Sequence, residues 1–95
     1  MQENEIHQVS KIFSALGNAV RVKILLLVSE TKKPLHIKAV AQALNMDYAA
    51  LYRHVKVLER NSLLEIYEVG RSRVLSLKDR ESVEKLIEIA NIMMR

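Results

Sequence analysis

The organisation of this chain turns on the stretch Ile37-Lys38-Ala39-Val40-Ala41-Gln42-Ala43-Leu44-Asn45-Met46-Asp47-Tyr48-Ala49-Ala50-Leu51-Tyr52-Arg53-His54-Val55-Lys56-Val57-Leu58-Glu59-Arg60. Ile37, Val40, Ala41 and Leu44 recur at helical spacing, so a short helix runs from His36 or Ile37 to Leu44. Asn45-Met46 then turns the chain, because Asn tolerates left-handed backbone angles better than any residue except Gly. Asp47 is placed to cap a second helix over Tyr48–Arg60. Two helices joined by so short a turn form a helix-turn-helix, whose second helix enters the major groove of DNA where the unit serves as a reader.

Such a helix must hold itself with one face and read with the other. On a helical wheel Leu51, Val55 and Leu58 fall within about 60° and form an inner stripe. Ala49, Tyr52, Arg53, Lys56 and Arg60 gather within about 100° on the opposite side, with no acid among them and Glu59 toward the flank. Arg53 and Lys56 suit guanine edges or phosphates, and Tyr52 suits a phosphate or a thymine methyl. The plainer alternative is a solvated helix face.

Downstream, Leu63–Val69 and Arg73–Leu77 are rich in branched residues and flank Gly70-Arg71-Ser72, the pattern of a hairpin. Arg71, Ser72 and Arg73 at its tip would make it a wing that clamps phosphate or enters the minor groove. Arg73 is expected to act on all sequences alike and to steepen the salt dependence of binding. Upstream, Ile6, Val9, Phe13 and Leu16 form a helical stripe ending at Gly17. Asn18 caps a helix over 19–29 whose apolar residues point nearly all round, so that helix is expected at the centre and mostly buried. Leu35 adds a very short strand. A last helix from about Asp79 carries Val83, Leu86, Ile87, Ile89, Ala90, Met93 and Met94 over an arc of about 160°.

The whole is expected to be mainly α (α+β): about five helices and a β-hairpin wing, one domain over residues 1–95. Ninety-five residues leave no room for a second packed domain. At this size folding buries only roughly 60–65% of the chain's surface, and small domains offset that with disulfides, metals or partners. There is no cysteine, so a partner subunit is the remaining device. Ile6, Val9 and Phe13 of the first helix and Val83, Leu86, Ile87, Ala90 and Met93 of the last are the expected homodimer interface. The net charge of +4 falls in residues 18–45, where Arg21, Lys23, Lys32, Lys33 and Lys38 face only Glu30. That balance leans mildly toward nucleic acid. Arg21 has two readings, a phosphate contact or a structural arginine paired with an acid, and the second is preferred.

The segments just described resemble the ArsR-type winged helix-turn-helix repressors. Leu16-Gly17-Asn18-Ala19-Val20-Arg21-Val22-Lys23-Ile24-Leu25 is similar to their L-x-x-x-x-R-x-x-I-L opening. Ala49–Glu59 resembles their recognition helix with its S-x-H-L-x-x-L core, and Val69–Leu77 resembles their wing. The resemblance spans most of residues 12–77 and implies a homodimeric, double-stranded-DNA-binding transcriptional regulator, a repressor, with the terminal helices at the dimer interface. The chain departs from the pattern at three places. Asn45 replaces the turn glycine, Ser62 replaces a glycine after the recognition helix so that Asn61 is expected to take the left-handed angles, and Tyr52 replaces the recognition-helix serine.

Relatives of this kind that sense metals use cysteines, or His and acidic residues on the last helix. Here the last helix has no histidine, and His7, His36 and His54 lie on three elements, so neither metal nor cofactor is expected. Glu81, Glu84 and Glu88 share a face that reads as solvated. No phosphate loop, His-Glu-x-x-His helix or nucleophile elbow is present, so no enzyme activity is expected. The longest apolar run, Ile24–Val28, is far short of the ~20 residues of a membrane span, and the acidic amino terminus lacks a signal pattern. A cytoplasmic protein is expected. The rival class is a winged-helix protein-interaction module of a larger transcription complex, favoured by Glu59, Glu65 and Glu68 and the modest net charge.

Overall fold

A computed structural model describes all 95 residues. The element order is α1 (Glu3–Leu16), α2 (Ala19–Ser29), β1 (Leu35–His36), α3 (Ile37–Ala43), α4 (Tyr48–Arg60), β2 (Leu64–Val69), β3 (Ser72–Leu77) and α5 (Arg80–Met93). The strands form one antiparallel sheet in the order β1-β3-β2. This is the winged helix expected from the sequence: five helices, with the β2–β3 hairpin as the wing.

Local chemistry places the starts of α2, α4 and α5. The Asn18 carboxamide accepts from the Val20 and Arg21 amides at 2.9 and 3.2 Å, Asp47 from Ala50 at 3.3 Å, and Asp79 from Ser82 at 3.1 Å. The ends of α3 and α4 are set by left-handed residues. Asn45 has φ 52° and Ser62 has φ 63°. Each closes the same double hydrogen bond: Met46 N–H to Ala41 and Asn45 N–H to Gln42 after α3, Leu63 N–H to Leu58 and Ser62 N–H to Glu59 after α4.

The second closure corrects the expectation for Asn61. Asn61 has φ −103° and donates its side-chain amide back to the Val57 carbonyl at 2.8 Å. The left-handed residue is Ser62, because the motif needs an apolar residue next. Leu63 is buried, whereas Ser62 in that place would leave the contact with Leu58 unmade.

The wing turn is also one residue shorter than expected. Val69 pairs with Ser72, so only Gly70-Arg71 lies between the strands. Gly70 supplies the positive φ, 62°, that such a turn needs at its first position.

The core is aliphatic. Ile24, Leu25 and Val28 of α2 meet Leu51, Val55 and Leu58 of α4, Ile37 and Val40 of α3, and Leu64, Leu75 and Leu77 of the sheet. Yet α2 is less enclosed than expected: Leu26 is 38% exposed. Helices α1 and α5 leave between them an apolar groove that Val22 and Leu26 help to line. Arg80, at the start of α5, holds that helix to α2 by donating to the Ser29 and Thr31 carbonyls at 2.7 and 2.8 Å.

Candidate nucleic-acid interface

Helix α4 is anchored as its periodicity requires. Leu51, Val55 and Leu58 are wholly buried, and Ala49, Arg53 and Arg60 are exposed on the other side. Arg53 forms no ion pair. Tyr52 and Lys56 are only half exposed. Tyr52 stacks on Tyr48 with centroids 6.1 Å apart and planes 9° from parallel. The Lys56 ammonium binds Glu59 at 2.6 Å, so Glu59 reaches the reading face rather than its flank.

The wing arginines differ. Arg71 stands exposed at the turn without an ionic partner. Arg73 instead lies over the Tyr52 ring, its guanidinium carbon 4.8 Å from the centroid, with Glu68 4.0 Å away on the paired strand. The adjoining Tyr48 hydroxyl, and then Tyr52, hold its pKa above the ordinary arginine value, so it is cationic throughout the working range. Hairpin and helix thus meet through side chains far apart in sequence, Tyr52 and Arg73, which no local signal reveals.

Between the wing tip, α3 and the start of α4 lies a cleft of about 390 Å³ lined by His36, Lys38, Gln42, Tyr48, Arg71 and Arg73, with Ala39 and Ser72. No carboxylate lines it, a composition that suits an anion such as a phosphodiester. Nothing in the sequence marks Tyr48 or Gln42 as part of a site, since the cleft exists only once β3 is laid beside α3.

Arg21 is structural, but its partners correct the expectation of an acid. Nε donates to the Ala15 carbonyl at 2.7 Å, Nη2 to Ser14 at 3.4 Å, and Nη1 stands 3.3 Å from His54 Nδ1. Carbonyls at the end of α1 lack partners within the helix, so a guanidinium there needs no carboxylate. Burial first, then Arg21 and Arg53, lower the His54 pKa below 6.5. Lys32 and Lys33 are exposed on the loop before β1. Glu81 and Glu84 pair with Lys85 and Arg80. Nowhere do three or more His, Asp or Glu side chains gather as a metal site would require.

Of the expected dimer residues, Ile6, Val9, Phe13, Ala90 and Met93 are exposed, and Leu86 and Ile87 are partly so. Val83 is corrected: it is 2% exposed and belongs to the chain's own core, because the first turn of α5 packs inward. Leu26, Ile89 and Ile92 extend the exposed apolar surface. No single helix is long and apolar enough to cross a membrane.

No family model matches the chain. It is 33% identical over 90 residues to an uncharacterized HTH-type transcriptional regulator of Methanocaldococcus jannaschii, across 84% of this chain and 93% of that one. The chain belongs to the HTH-type transcriptional regulators. The fold of this regulator is shared with the homodimeric winged helix-turn-helix DNA-binding domain of a possible ArsR-family regulator from Mycobacterium bovis. That match has a TM-score of 0.84 at 21% identity and covers 99% of this chain and 87% of that one. NolR of Sinorhizobium fredii matches with a TM-score of 0.81 at 21% identity, over 98% and 96% of the two chains. HlyU of Vibrio cholerae matches at 0.79 and 22%, over 98% and 97%.

Proposed function

We propose that this regulator is a single-domain, sequence-specific binder of double-stranded DNA that works as a homodimer and represses transcription by occluding a promoter. The observation that carries the reading is the unpaired Arg53 on the outward face of α4, the helix whose first residue, Tyr48, lines a cleft with Lys38 and Arg71 and no carboxylate. With α4 in the major groove, Ala49 lets the helix backbone approach, Arg53 reaches base edges, and Arg60 lies at the far end, with Tyr52 and Lys56 beside them. Arg71 and Ser72 meet the DNA from the wing, with Arg73 seated on α4 behind them, and the cleft takes a backbone phosphate through Lys38 and Arg71.

The exposed Phe13, Leu26, Ile89 and Met93 support a second copy across α1 and α5. A two-fold dimer with its recognition helices roughly 34 Å apart reads a near-palindromic site. The protein acts in the cytoplasm, without catalysis and without a metal or cofactor.

Fluorescence anisotropy with a random-sequence duplex at rising salt tests the reading. Binding that weakens steeply with salt is expected. Its absence would favour the interaction-module class. Selection of bound duplexes from a random pool then reads out the half-sites and their spacing.

A further inference from the structure

Tyr52 stands where the ArsR-type pattern has a small hydroxyl, and its ring has two close neighbours, one from its own helix and one from the wing. Tyr48 stacks on it within α4, and Arg73 covers it from the wing at 4.8 Å, while Glu68 steadies Arg73 from the opposite strand. Lys56 approaches the same ring at 6.0 Å. Tyr52 is only half exposed, and a guanidinium held over its ring is engaged with α4 rather than free at the hairpin tip. No backbone hydrogen bond ties residues 67–73 to α4.

We propose that Tyr52 is a positioning residue rather than a base reader. It is the platform on which Arg73 docks the wing against the recognition helix, leaving Arg71 as the hairpin's DNA-facing cation. The proposal rests on the DNA-binding reading for its functional consequence: the angle between helix and wing, and so the register of groove and backbone contacts, is set before DNA arrives. A cation over an aromatic face is attracted by the ring quadrupole, and a phenylalanine ring serves nearly as well as a tyrosine. Serine at the same place offers no face at all.

The test has two arms on the full chain. Backbone amide relaxation without DNA reads the order of residues 69–72 in Y52F, Y52S, R73Q and the Y52S/R73Q double variant. Y52F keeps wild-type order, while Y52S and R73Q each loosen the hairpin to the same degree and the double variant adds nothing. Duplex binding across a salt series forms the second arm. Y52S and R73Q each weaken binding about two- to tenfold, non-additively. R71Q, in contrast, lowers the salt slope by about one, and R73Q lowers it far less. Unchanged wing order in Y52S and R73Q, additive losses, or a full unit of salt slope lost in R73Q would overturn the proposal. If the wild-type protein bound no duplex at all, the DNA reading would fall, and the relaxation arm would still decide whether Tyr52 fixes the wing.

Discussion

Arg21 Nη1 and His54 Nδ1 stand 3.3 Å apart, and the same guanidinium holds the Ala15 carbonyl at 2.7 Å. One side chain on α2 therefore joins the end of α1 to the middle of the recognition helix. The contact requires a neutral imidazole that presents a lone pair to the cation. His54 has its pKa lowered by burial, then by Arg21 and Arg53. Its stabilising contribution is therefore full above the unfolded value of 6.5 and is lost as pH falls through the lowered folded value. H54Q keeps an acceptor without a titration. Urea unfolding between pH 7.5 and about 4.5 should show the wild type losing stability below about 6.5 relative to H54Q. Parallel curves for the two proteins would refute the link.

Arg53 and Lys56 lie on the same outward face but are not equivalent. Arg53 is unpaired, whereas Lys56 is already neutralised by Glu59 at 2.6 Å. Arg53→Ala should weaken binding to a selected site by about 1–3 kcal/mol and relax its preference at one base pair. Lys56→Ala should cost less than about 1 kcal/mol, because DNA must first compete with an intrahelical ion pair. Anisotropy titrations on selected and scrambled duplexes measure both. Equal losses would show that the Glu59 pair does not restrain Lys56.

Phe13 is 61% exposed on α1 although it is the only phenylalanine in an aromatic-poor chain. A charge at an exposed position costs a monomer's fold little, within about 0.5 kcal/mol, but its burial unpaired against a second copy is prohibitive. Phe13→Glu should therefore yield a folded monomer in sedimentation velocity at concentrations where the wild type is a dimer. A variant that remained dimeric would place the interface elsewhere than the α1–α5 face.

Ser62 carries φ 63° with an exposed side chain that makes no hydrogen bond. A non-glycine residue in that region costs roughly 1–2 kcal/mol, and glycine's extra freedom in the unfolded chain returns about 0.5–1 of it. The first term is the larger, so Ser62→Gly should stabilise the protein by about 0.5–1 kcal/mol in urea denaturation. Destabilisation would mean that Ser62 has an unrecognised partner.

The elements and their inner faces are legible in the amino-acid sequence alone. Leu51, Val55 and Leu58 lie at helical spacing and are buried, and Asn18, Asp47 and Asp79 cap the helices that follow them. These are local properties: a wheel position or a cap depends on residues within one turn. What the outward groups meet is fixed by the three-dimensional packing. That packing laid Arg73 on Tyr52, closed Lys56 onto Glu59, gave Arg21 two carbonyls instead of an acid, and drew Val83 into the core. Those outcomes depend on how the wing leans on α4 and how α5 is pinned by Arg80 to the end of α2. Both are contacts between distant segments, where packing and charge select among rotamers that local sequence leaves equally open.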